Sequence, residues 1–95
     1  MRVAILVNMT KQKSIEEIKA GWDDFERPKD GQKFRHYKGG EYVIVATGHL
    51  EDTEAPCVAY RSLEKDITWV RTAKNFLEQI EHDGVLQPRF KPIEE

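Results

Sequence analysis

Two adjacent glycines, Gly39-Gly40, stand between two runs of strand-forming residues and constrain the fold more than any other feature of the chain. Glycine adopts positive φ without steric cost, as a tight hairpin requires. Phe34-Arg35-His36-Tyr37 leads into the turn through Lys38, and Tyr42-Val43-Ile44-Val45-Ala46-Thr47 leads out of it. The second run is apolar at nearly every position, which predicts a strand covered on both faces. Cys57 to Leu63 predicts a third strand, Glu64-Lys65-Asp66 a turn, and Ile67 to Arg71 a further strand. Strict alternation on that last strand sends Ile67, Trp69 and Arg71 to one face and Thr68, Val70 and Thr72 to the other.

The flanks read differently. Residues 3–8 predict a short buried strand. Ser14-Ile15-Glu16-Glu17 is a capping box that opens a helix, with Ile15, Ile18, Trp22 and Phe25 on one stripe, until Arg27-Pro28 ends it. Thr72 predicts a cap, and Ala73, Phe76, Leu77 and Ile80 at i, i+3, i+4 and i+7 predict a helix over 73–81, stopped by His82-Asp83-Gly84. Pro88 and Pro92 place the final extended segment, 85–93, on an edge. The expected class is α+β, mainly β: a small twisted antiparallel sheet or SH3-like partly open barrel with one short C-terminal helix. An N-terminal strand-helix extension spans 1–33 and a β-rich domain spans 34–95.

Composition narrows the setting. At 95 residues the chain has single-domain length, and with 39% hydrophobic residues it is too apolar for a disordered chain. A net charge of −2 argues against dependence on phosphate contacts over the whole surface, while leaving room for a local basic face. The apolar run Val3 to Val7 is too short to span a bilayer and has no cleavage site after it, so no membrane association is expected. A lone Cys57 forms no internal disulfide, which points to a reducing cytoplasm.

From Phe34 onward a signature accumulates: Arg35-His36-Tyr37-Lys38-Gly39-Gly40, Tyr42, Val58, Tyr60-Arg61, Trp69-Val70-Arg71, Phe76, Asp83-Gly84 and Pro88-Arg89-Phe90. In that order these residues resemble the bacterial domain of unknown function 1653 family. The resemblance covers about 60 residues and implies a small sheet-based module; it implies no activity.

The candidate chemistry is sparse. Cys57 opens an apolar strand and reads as a structural thiol. His36, His49 and His82 are isolated, with no thiols beside them, so no metal site is expected. Gly39-Gly40 lacks the GxGxxG or GxxxxGK[ST] context, so no cofactor is expected. What stands out is aromatic residues interleaved with basic ones: Tyr37, Tyr42, Tyr60 and Trp69 with Arg35, Lys38, Arg61 and Arg71. Such a pattern serves either a packed core or a stacking platform for nucleotides and single strands. Arg71 and Arg89 each suit a salt bridge or a bidentate anion clamp. The candidate ligand-binding set is therefore Arg35, His36, Lys38, Tyr60, Trp69, Arg71 and Arg89.

The function expected is a non-catalytic module for an anionic ligand, whether nucleic acid, nucleotide or an acidic protein segment. The alternative is a small enzyme or metabolite-binding protein using His36 and Arg71. A homodimer through Ile15, Trp22 and Phe25 is a further expectation.

Overall fold

The computed structural model describes residues 13–94; the strand expected over 3–8 lies outside them. Among the described residues the chain is mainly β, with seven strands, two short α-helices and one 3-10 turn. Helix α1 (Ile15–Lys19) starts at Ser14, whose hydroxyl accepts from the Glu17 amide while the Glu17 carboxylate accepts from the Ser14 amide. The helix then tightens into a 3-10 turn over Ala20–Asp24. Of the expected apolar stripe only Trp22 is buried: its indole N–H donates to the Gly48 carbonyl (3.1 Å), whereas Ile15 is 63% exposed.

Five strands form one antiparallel sheet: β1 (Lys33–His36), β2 (Glu41–His49), β3 (Pro56–Ser62), β4 (Thr68–Thr72) and β7 (Phe90–Pro92), in the order β4-β3-β2-β1-β7. The sheet does not close, so β4 and β7 are its edges. The second apolar run is not covered on both faces, since Val45 is 47% exposed. Pairing runs Ile44 to Tyr60 and then Ala46 to Ala59, making Val45 the extra residue of a β-bulge. The bulge reverses the phase of β2, so that Thr47 rather than Ala46 lies opposite the buried Val58.

The helix expected over 73–81 ends after one turn. Helix α2 (Ala73–Phe76) is capped by Thr72, whose hydroxyl accepts from the Asn75 amide (3.2 Å). Residues Gln79–His82 then form β5, paired with β6 (Val85–Pro88) in a separate two-stranded hairpin. Asp83 (φ 54) and Gly84 (φ 78) are its two-residue turn. Asp-Gly is the preferred pair for such a turn, and a strand pairing replaced the helical continuation that the spacing of Ile80 equally allowed.

The core is an aromatic cluster with Phe90 at its centre. Phe76 stacks on Phe90 (centroids 4.2 Å apart, 9° between planes), and His36, Tyr42 and Tyr60 meet Phe90 edge-on. Phe34 closes the cluster against Phe76. Phe90→Ala should therefore lower the unfolding free energy by about 3–5 kcal/mol in urea denaturation. Val45→Thr, on the bulge, should stay within about 0.5 kcal/mol. Equal effects at the two positions would contradict this placement of the core.

Candidate functional site

The register fixes which side chains share the core face. Tyr60 lies opposite Trp69, Val58 opposite Arg71, and His36 opposite Phe90. Residues directly opposite in an antiparallel pair project to the same side, so His36, Tyr60, Trp69, Arg71 and Phe90 face one way. Helix α2 covers part of that face by burying Phe76. Beyond it the face stays open as a hollow of about 460 Å³, lined by these five residues with Tyr42, Lys65 and Val70.

Arg71 is the organising charge. Its Nε donates to the Tyr60 hydroxyl (2.6 Å), an Nη1 hydrogen bond runs to the Asn75 side-chain oxygen, and the guanidinium carbon lies 5.6 Å from the Phe90 ring centroid. All three partners are neutral. Burial pushes the Tyr60 phenol above its ordinary value despite the opposing pull of Arg71, so the phenol stays protonated. Among the described residues no carboxylate pairs with Arg71. Lys65 also lines the hollow, on a turn fixed by its amide donating to the buried Ser62 hydroxyl (2.9 Å).

His36 closes the other side. Its Nδ1 accepts from the Lys38 amide (3.2 Å), which leaves Nε2 as the N–H position of the neutral ring. Burial, followed by the positive charges of Arg71, Arg89 and Lys38, holds its titration below the ordinary 6.5. The turn that carries it needs Gly40 (φ +90), and a Cβ there would meet the Tyr42 ring at 3.4 Å.

The remaining candidates lie elsewhere. Arg35 is on the opposite face of the sheet in a 2.7 Å ion pair with Glu41. Lys38 is in the hairpin turn, its ammonium 5.7 Å from the Tyr37 ring. Arg89 does not line the hollow; it is ion-paired with Glu78 and donates from Nε to the Asn75 carbonyl (3.1 Å). Sequence reasoning thus joined His36, Tyr60, Trp69 and Arg71 but missed Asn75 and Lys65. Asn75 stands four residues after Arg71 across a capped turn, a spacing that signals a side-chain contact once the cap is recognised. Cys57 is partly buried, and that burial raises its thiol above the ordinary range. Among the described residues no three of His, Cys, Asp and Glu cluster to hold a metal, and no helix is long and apolar enough to cross a membrane.

Residues 32–92 match the family described as protein of unknown function (DUF1653). The chain belongs to that family. A crystal structure of a family member from Bordetella bronchiseptica is similar to it, at 26% identity and a TM-score of 0.62, over 75% of this chain and 90% of that one. No curated protein matches. The family-matching segment contains the whole five-stranded sheet and every residue lining the hollow.

The depressed titration of His36 has a pH signature. The unfolded chain takes up the proton first, so stability falls as pH drops through about 6.5 and the loss is complete only below the folded value. Between about pH 7 and pH 5 the slope of unfolding free energy against pH should be shallower in His36→Asn than in the parent. Identical slopes would contradict the placement of His36 beside three cations.

Proposed function

We propose that the protein is a small non-catalytic binding module that captures an anionic ligand in the hollow formed by His36, Tyr60, Lys65, Trp69 and Arg71. The observation that carries this reading is the state of Arg71, a partly buried residue whose guanidinium partners among the described residues are all neutral. A charge withdrawn from water without a counter-charge costs free energy, and an anion offsets that cost. By contrast Arg35, Arg61 and Arg89 have carboxylates within the chain, and Arg27, held by Thr47 and the Trp22 ring, is exposed to water.

Chemistry at the hollow supports recognition. Arg71 is immobilised before any ligand arrives, because Tyr60, Asn75 and the Phe90 ring fix its plane. Pre-ordering a guanidinium fork lowers the entropic cost of a bidentate contact. Lys65 adds a second positive charge, and the His36 Nε2–H adds a neutral donor. Nucleic acid, nucleotides and acidic protein segments all carry the required charge. A cytoplasmic setting suits such ligands.

Inorganic phosphate is the simplest probe. Followed by NMR, its addition should shift signals of His36, Trp69 and the Arg71 side chain saturably, and the affinity should fall as sodium chloride is raised. Arg71→Gln should weaken this binding by about tenfold or more, as expected for loss of charge-assisted hydrogen bonds. Arg35→Gln, on the opposite face, should leave it unchanged. Shifts that survive Arg71→Gln, or that map to the Arg35 face, would sink the proposal.

A further inference from the structure

Trp69 is the one large aromatic side chain of the hollow that the fold leaves outside its own core. It is 48% exposed, although its cross-strand neighbour Tyr60 is buried. The core aromatics Phe34, Tyr42, Tyr60, Phe76 and Phe90 all meet other rings, whereas among the described residues Trp69 has no ring partner. An indole face held open on a strand beside cations is the arrangement on which nucleobases stack. Arg71 follows two residues later on the same face, about 7 Å along the strand. That spacing is comparable to the separation between a base and its own 5′ phosphate. The hollow of about 460 Å³ matches one nucleotide rather than several.

Charge distinguishes phosphate from a single carboxylate. Two cations, Arg71 and Lys65, face the same space, and among the described residues no acidic side chain lines it. A phosphate monoester carries close to two negative charges at neutral pH and suits that pair. An acidic peptide segment would answer Arg71 but leave the indole face uncovered. Resting on the anion-binding reading above, we infer that the hollow binds a nucleoside 5′-phosphate, with the base on Trp69 and the phosphate between Arg71 and Lys65. The source is either a free mononucleotide or the 5′-phosphorylated end of a single strand.

Calorimetry at fixed ionic strength tests this with the four common nucleoside 5′-monophosphates, ribose 5-phosphate, and tetranucleotides bearing a 5′ phosphate or a 5′ hydroxyl. At least one mononucleotide should bind about tenfold or more tightly than ribose 5-phosphate, the gain expected from one stacked base. Trp69→Leu should abolish that gain, so that on the variant the mononucleotides bind no more tightly than ribose 5-phosphate. Because Trp69 is exposed, the variant should keep the parent's amide spectrum elsewhere. A 5′-phosphorylated tetranucleotide that binds more tightly than every mononucleotide identifies a strand end as the source; otherwise the source is the free nucleotide. Ribose 5-phosphate binding as well as all the nucleotides, or a Trp69→Leu variant with undiminished nucleotide affinity, overturns the inference while anion capture stands. If no phosphate compound binds at all, both readings fall.

Discussion

The stack of Phe76 on Phe90 ties the last strand of the sheet to the single turn of helix α2, and the hollow exists because of it. Phe90 is the third residue of Pro88-Arg89-Phe90, on an edge strand where proline is tolerated. Its ring also meets His36, Tyr42 and Tyr60, so one side chain joins β1, β2, β3 and β7. A sheet of five short strands has little area to bury, and a central aromatic with many neighbours supplies much of the core. The Arg71 guanidinium carbon lies 5.6 Å from the centroid of the same ring. Packing and site thus share one ring.

The electrostatics follow from how the cations are partnered. Glu78 ion-pairs with Arg89 and also accepts from the Asn75 side-chain amide (3.3 Å), while the Asn75 oxygen turns to Arg71. Asn75 therefore links the two arginines, but only Arg89 receives the carboxylate. Arg71 is left with hydrogen bonds and, among the described residues, no counter-charge. In a chain of net charge −2, that local asymmetry matters more than the total.

Much of this was legible in the sequence, for identifiable reasons. The Gly39-Gly40 hairpin, the Ser14 capping box and the Thr72 cap depend on neighbours within a few residues, and such local chemistry can be read directly. Alternation on Thr68–Thr72 put Trp69 and Arg71 on one face, as the pairing with Val58 and Tyr60 shows. The failures came where tertiary context decided. Ala73, Phe76, Leu77 and Ile80 fit a helix by spacing, yet the Asp83-Gly84 turn and the pairing of Gln79–His82 with Val85–Pro88 took the second half into a hairpin. A bulge at Val45 cannot be seen in a uniformly apolar run, because every register looks alike there. Arg35 and Arg89 looked equivalent to Arg71 in the sequence; only the placement of Glu41 and Glu78 separates them.

Tyr60 and Asn75 hold Arg71 still while, among the described residues, no carboxylate answers its charge. Solvent exchange of the Arg71 Nε–H, followed by nitrogen-edited NMR, reports this directly. The Nε–H signal should be sharp and slowly exchanging, and Tyr60→Phe should convert it to the fast exchange of an ordinary surface arginine. A signal already in fast exchange in the parent protein, or one indifferent to loss of the Tyr60 hydroxyl, would contradict it.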